Sequence, residues 1–104
     1  RVLFRSDPCP SLVIEAMACG LPVVHSMSGG VPELVGDDAG IGVASSATWD
    51  ADTPPAPADL ARAVLEIADH RERYARAARL RAIERFDLAA WTERHLAVFS
   101  ELVR

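Results

Sequence analysis

The chain contains no lysine, so its 11 basic residues are all arginines, and its 15 acidic residues leave a net charge of −4. A nucleic-acid-binding protein usually carries a strongly basic face, and this acidic balance disfavours that class. The sequence also lacks the roughly 20 consecutive apolar residues of a membrane-spanning helix, and it has no charged segment followed by an apolar stretch, as a signal peptide has. We therefore expect a soluble, cytoplasmic protein of one domain at most.

Cysteine is scarce as well, since Cys9 and Cys19 are too few for a disulfide framework. Cys19 lies in an apolar segment, where a small buried thiol is the ordinary outcome. No histidine stands beside Cys9 in sequence to activate it as a nucleophile. We predict that both thiols are reduced and take no part in metal binding or redox chemistry.

What the first 46 residues do contain is an alternation of short apolar segments. The pattern predicts strands at residues 2–4, 21–25 and 40–44, with a helix over residues 12–19 and a short helix opened by Pro32. Strands that alternate with helices in this way form a parallel sheet. The sequence therefore predicts an α/β fold with βα units over residues 1–46.

The second part of the chain changes character. Residues 47–57 are rich in aspartate and proline and indicate an exposed loop, and residues 58–104 predict a tail of three helices without another strand. Asp87 is a predicted N-cap for the last of these helices. Trp91 lies on its apolar face with Phe99, so we expect Trp91 in the core.

The junction between residues 7 and 20 has the layout of a binding site. Ser11 is a predicted N-cap and Gly20 a predicted stop for a buried helix, so that a helix N-terminus opens just after Asp7 with Glu15 in the first turns. The N–H groups and dipole at such an end attract a phosphate. The carboxylates of Glu15 and Asp7 can accept hydrogen bonds from the hydroxyls of a ribose and of a second sugar. The alternative is that Glu15 complements the helix dipole and Asp7 shapes a turn, and spacing alone leaves both open.

Two further features stand at the same end of the predicted sheet. The Gly29-Gly30 loop follows the carboxyl end of a strand, where open α/β sheets bind their ligands, but a plain turn explains it equally well. His25 can face the same site or serve only to end its strand.

The run DPCPSLVIEAMACGLPVV at residues 7–24, followed by SGGVPELV at residues 28–35, resembles the donor-site signature of the family 4 retaining glycosyltransferases of the GT-B fold. That signature has two glutamates separated by seven residues, then Ala-Met-Ala, a glycine, Pro-Val-Val, a Gly-Gly loop and a further glutamate. The resemblance is strongest over residues 7–36. It implies that the chain is the C-terminal half of a Rossmann-like GT-B domain, with a short parallel sheet followed by C-terminal helices.

Position by position, the resemblance implies that Glu15 binds the ribose and that Asp7, which replaces a glutamate, contacts the transferred sugar. These two are the implied catalytic residues. The segment Cys9, Pro10, Ser11 and Leu12 would complete the donor site, with backbone N–H groups for the diphosphate at every position except the proline. Pro8-Cys9-Pro10 stands where the family has Gly-Phe-Gly, so two backbone donors are missing. The family implies neither a metal nor a cofactor, only a nucleotide diphosphate sugar as co-substrate.

The resemblance also sets the expected partners. An N-terminal domain, absent from these residues, would bind the acceptor across a cleft, so we predict that this chain alone is inactive and that its uncovered apolar surfaces drive self-association. One alternative is a nucleotide-sugar epimerase or phosphorylase of the same fold. Another is a non-catalytic interaction module, in which the arginine-rich helix over residues 71–85 binds a partner or touches an anionic membrane surface.

Overall fold

The computed structural model describes residues 7–47 and 51–104 of the chain. Its elements are α1 (Ser11–Ala18), β1 (Val23–Ser26), α2 (Val31–Val35), β2 (Gly40–Val43), β3 (Ser46–Ala47), β4 (Asp52–Thr53), α3 (Pro57–Asp69), α4 (Arg71–Phe86) and α5 (Leu88–Leu102). Apart from β3 and β4, they follow the predicted order. The α/β class is confirmed. The predicted strand at residues 2–4 lies outside the described residues.

Strands β1 and β2 form a parallel pair, as the βα alternation predicts. Val23 pairs with Gly40 and Ser26 with Val43, and α2 makes the crossover between the two strands. Gly40 is required at its position, because a Cβ atom there would lie 1.9 Å from the carbonyl oxygen of Val23. The loop predicted over residues 47–57 is only partly right, since β3 and β4 form a short antiparallel pair there.

Helix α1 begins one residue earlier than predicted. Pro10 is the N-cap, with extended backbone (φ −68°, ψ 117°), and its carbonyl oxygen accepts the Val13 N–H at 3.1 Å. The prediction of Ser11 as a side-chain cap is therefore wrong, because Ser11 is already the first helical residue. Pro10 suits this place because its ring fixes φ and a residue before the helix needs no N–H for it.

The other end of α1 confirms the predicted glycine stop. Gly20 has φ +73° and donates to Met17 O at 2.9 Å, while Leu21 donates to Ala16 O at 2.9 Å. These two bonds are the Schellman motif that ends many helices. Cys19 is the C-cap and is exposed, so its predicted burial is wrong.

The core lies where α1, α2 and α4 meet. Its central cluster contains Met17, Val35, Ala39, Ala78 and Ala82. The small side chains of Ala78 and Ala82 let α4 pack closely against α1. Helix α1 is not the fully buried helix that its composition predicts, because only Met17 is buried and Leu12 is 74% exposed.

The three helices of the tail are confirmed, but the predicted burial of the last one is not. Helix α5 has no buried residue, and Trp91 is 49% exposed. Leu88, Phe99 and Leu102 are all more than half exposed. An apolar stripe shows that a helix has one face suited to burial, whereas burial itself requires another element over that face.

The N-cap of α5 supplies a stability prediction. Asp87 accepts the Ala90 N–H at 3.1 Å, which confirms the predicted cap. We expect Asp87→Ala to lower the free energy of unfolding by about 1 kcal/mol, because a helix-end N–H loses its acceptor. Urea denaturation followed by circular dichroism measures the change. Ser100→Ala, in the same exposed helix but away from its start, is the control, and an equal loss in both variants would contradict a capping role.

Candidate functional site

The segment before α1 is organised around the carboxylate of Asp7. Its Oδ1 atom accepts the Cys9 N–H at 2.9 Å, and both residues are exposed. This contact is an Asx turn, which aspartate forms readily. Asp7 therefore does shape the turn before Pro10, while its Oδ2 atom has no partner within residues 7–47 and 51–104.

The start of α1 carries the predicted backbone donors, with one exception. We expected the Cys9 N–H to donate to a ligand, but in the structure it already donates to the carboxylate of Asp7. The N–H groups of Ser11 and Leu12 have no acceptor in the described part of the chain, as is usual for the first residues of a helix. Two N–H groups and the positive end of the helix dipole thus remain for an anion.

Glu15 lies in the second turn of α1, within the first turns as predicted. It is the fifth residue of the helix, beyond the first turn, and its side chain is exposed. Residues four apart lie on one face of a helix, so Glu15 stands on the same side as Ser11. A carboxylate in the second turn gains little from the helix dipole, whose effect falls off within the first turn. The location therefore weakens the dipole explanation for Glu15.

The Gly29-Gly30 loop closes directly on the Asp7 segment. The Gly30 N–H donates to the backbone oxygen of Asp7 across 3.4 Å. A Cβ atom on Gly30 would lie 1.6 Å from Pro8 O and 2.5 Å from Pro8 C, so only glycine allows this approach. Gly29 has φ +64°, a conformation that also favours glycine. The loop is therefore more than a plain turn, since it brings the start of α2 against the segment before α1.

The structure also shows the surroundings of the histidine and the two cysteines considered from the sequence. His25 is only 9% exposed, and its Nδ1 atom is 2.9 Å from Ser26 O, so it is a buried strand residue. Cys9 and Cys19 are both free and exposed.

Residues 7–47 and 51–104 contain no group of three or more His, Cys, Asp or Glu side chains placed to hold a metal ion. Within the same ranges, no helix is both long enough and apolar enough to cross a membrane.

Sequence reasoning missed the role of two arginines on α4. Arg79 donates to Ala18 O at 2.5 Å, and Arg81 donates to Leu34 O at 2.6 Å and to Glu33 O at 2.8 Å. These carbonyls belong to the last turns of α1 and α2, where a helix has no internal donors left. The sequence shows only a row of arginines typical of a solvated face, and it carries no local signal of these contacts.

Comparison with known proteins identifies the class. The family model described as glycosyl transferases group 1 matches residues 2–81, which include the Asp7 segment, α1 and the Gly29-Gly30 loop. Because the match covers most of the chain, this protein belongs to the group 1 glycosyl transferases. Its α/β architecture, with a short parallel sheet followed by helices, is consistent with a Rossmann-like GT-B half.

Individual relatives are similar over nearly the whole chain. The alpha-maltose-1-phosphate synthases of Mycobacterium tuberculosis strains CDC 1551 / Oshkosh and ATCC 25618 / H37Rv are each 38% identical to it over 101 residues. The alignment covers 92% of this chain but 25% of each relative, so the chain spans about a quarter of their length. No solved structure matches it.

Proposed function

We propose that this chain is the donor-binding part of a glycosyltransferase that moves a sugar from a nucleotide diphosphate sugar to an acceptor with retention of anomeric configuration. The observation that carries the proposal is the junction itself. The start of α1 has two N–H groups without an acceptor among residues 7–47 and 51–104. These groups, the carboxylates of Asp7 and Glu15, and a glycine loop pressed against Pro8 occupy one region of a chain that belongs to a glycosyl transferase family.

In this proposal the start of α1 binds the diphosphate. As the bond between the sugar and the diphosphate breaks, negative charge develops on the leaving oxygens. Preorganised donors that point at such charge stabilise the transition state without reorganising. The N–H groups of Ser11 and Leu12, with the helix dipole, provide this stabilisation, and further cations would come from parts of the protein outside this chain.

In the same proposal, each of the two carboxylates binds a different sugar of the donor. Glu15, exposed on the Ser11 side of α1, accepts hydrogen bonds from the paired hydroxyls of the ribose. Asp7 is held by the Cys9 N–H through Oδ1 and offers Oδ2 to the hydroxyls of the transferred sugar. The Asx turn thus orients the carboxylate, so that turn formation and sugar binding are compatible.

One experiment separates this proposal from its alternatives. The full-length protein would be incubated with UDP-, ADP- and GDP-glucose, with and without candidate acceptors, and the products followed by NMR. We expect nucleotide diphosphate release that depends on an acceptor and a product with the anomeric configuration of the donor. A rearranged donor without acceptor would indicate an epimerase, sugar release to inorganic phosphate a phosphorylase, and no donor binding at all a non-catalytic module.

A substitution at Asp7 tests its role in the donor site. In the full-length protein, Asp7→Asn should lower kcat/KM for transfer by about 10–100-fold, because a charge-assisted hydrogen bond to the sugar becomes a neutral one. The amide oxygen of asparagine still accepts the Cys9 N–H, so the turn persists. Calorimetry with the free nucleotide diphosphate should show almost unchanged binding. Equal losses in transfer and in nucleotide binding would place Asp7 elsewhere.

The 104 residues on their own should show no sugar transfer, because they correspond to only a quarter of the length of the relatives. An assay of nucleotide diphosphate release from UDP-, ADP- and GDP-glucose checks this prediction. The full-length protein under the same conditions is the positive control. Turnover by the purified chain, abolished by Glu15→Ala, would show that these residues suffice for the reaction.

A further inference from the structure

We propose that Arg81, assisted by Arg79, is a positioning residue for the donor site. Arg81 binds the C-terminal end of α2, and Gly30 lies at the N-terminal end of the same helix. This inference rests on the proposed function, since it assigns Arg81 an effect on donor binding.

Arg81 completes the end of α2. This helix has five residues and is followed by its C-cap Gly36, whose N–H donates to Pro32 O at 2.9 Å. The next two carbonyls, those of Glu33 and Leu34, accept from Nη2 and Nε of Arg81. The guanidinium lies so close to Gly36 that a Cβ atom there would be 2.6 Å from Cζ of Arg81. Its planar fork and positive charge therefore suit the C-terminal end of α2.

The opposite end of α2 forms part of the proposed site. Gly30 is the N-cap of α2, and it is the residue that touches Pro8 and donates to Asp7 O. Five residues extend only about 7.5 Å, and so short a helix is not stable by itself. Leu34 and Val35 anchor it in the core, while the carbonyls that Arg81 binds have no other donor from the described part of the chain. Loss of Arg81 should therefore loosen α2 and the Gly29-Gly30 loop together.

Helix α4 also binds the C-terminal end of α1. Arg79 binds Ala18 O at the last residue of α1, and the first residue of that helix is Ser11 of the proposed site. Residues two apart point about 200° away from each other around a helix, so Arg79 and Arg81 leave α4 on different sides. Between the two directions, Ala78 and Ala82 pack in the core. One helix thus binds the C-terminal ends of both α1 and α2, and in this way fixes how Ser11 and Gly30, at their opposite ends, are placed relative to each other.

The test uses four variants of the full-length protein. Arg81→Met removes the donors at similar side-chain length, and Arg81→Lys keeps the charge but loses the fork. Arg76→Met is the matched control, since Arg76 lies exposed on the same helix with no partner in the part of the chain that the structure describes. Ala63→Gly, at a buried position of α3, lowers stability without touching α2.

Two measurements are made on each variant. The first is the Kd for whichever of UDP, ADP and GDP the native protein binds most tightly, and the second is amide hydrogen exchange. We expect Arg81→Met to raise this Kd by about tenfold, since small displacements of binding groups are costly. Exchange should become faster at residues 28–36 and stay unchanged at residues 88–102. Arg81→Lys should recover part of the affinity, whereas Arg76→Met and Ala63→Gly should bind as the native protein does.

Three results would overturn the inference. Unchanged nucleotide affinity in Arg81→Met, with or without faster exchange, would show that Arg81 does not position the site. An equal loss of affinity in Ala63→Gly would show that Arg81→Met weakens binding only by lowering the stability of the protein. If the native protein binds none of the three nucleotides, the proposed function itself fails and the inference falls with it, which the native protein reveals without any variant.

Discussion

Glu15→Ala should weaken donor binding to the full-length protein by about 2–4 kcal/mol, because the ribose loses hydrogen bonds to a charged group worth roughly 1.5–3 kcal/mol each, and these are not fully additive. The side chain is exposed in the second turn of α1, so its removal leaves no cavity. Alanine is also the best helix former. We therefore expect the free energy of unfolding to stay nearly unchanged while donor affinity falls.

A donor lacking the ribose 2′-hydroxyl makes this prediction specific. The native protein should bind the deoxy donor less tightly than the normal one, and Glu15→Ala should hardly distinguish the two, because the partner of the missing hydroxyl is already gone. Calorimetry gives the four affinities of this cycle. Glu84→Ala, which removes an exposed carboxylate from α4, is the control. This variant should distinguish the two donors as well as the native protein does. If the loss of affinity from Glu15→Ala and the loss from the missing 2′-hydroxyl simply add, Glu15 does not bind the ribose.

Gly30→Ala should have the second large effect, since the new methyl group would collide with backbone atoms of Pro8 that cannot rotate away. Either the Gly29-Gly30 loop or the Asp7 segment must move. Forced overpacking of this kind costs about 1–3 kcal/mol in stability. Donor affinity should fall by about 100-fold, because the two sides of the proposed site no longer meet in the same geometry.

Gly20→Ala is a matched control for this substitution. It places an alanine at φ +73°, which costs about 1–2 kcal/mol. Its Cβ atom, however, would meet Ala75 O at 3.7 Å, an ordinary contact, and no other atom of residues 7–47 and 51–104 beyond its own neighbours. Both variants should therefore melt at lower temperature, and only Gly30→Ala should lose donor affinity. Equal affinities in the two variants would show that the contact between Gly30 and Pro8 serves folding alone.

Several features could be predicted from the sequence because they depend on neighbouring residues. Gly20 ends α1 through bonds to the residues just before it, and Asp87 caps α5 through the residue three positions later. The βα order follows from apolar runs of strand or helix length, and it correctly predicts the parallel pairing of β1 with β2. Local hydrogen bonds and backbone preferences decide all of these.

Burial was predicted less well. Leu12, Cys19 and Trp91 lie in apolar segments, yet all three are exposed. An apolar pattern identifies the face that a helix would bury, but whether it is buried depends on which element packs against it. That element is distant in sequence and leaves no mark on the segment itself.

For the candidate site, the sequence by itself determined which groups we propose to supply the chemistry: Asp7, Glu15 and the first N–H groups of α1. The tertiary structure alone decided that the Cys9 N–H donates to Asp7, and that Gly30 lies so close to Pro8 that no side chain fits there. It also decided that Arg79 and Arg81 bind the C-terminal carbonyls of α1 and α2. The last two contacts join residues 61 and 47 positions apart. Hydrogen bonds over such separations exist only once the core of Met17, Val35 and Ala78 has brought the helices together, because no local preference of an arginine selects a particular distant carbonyl.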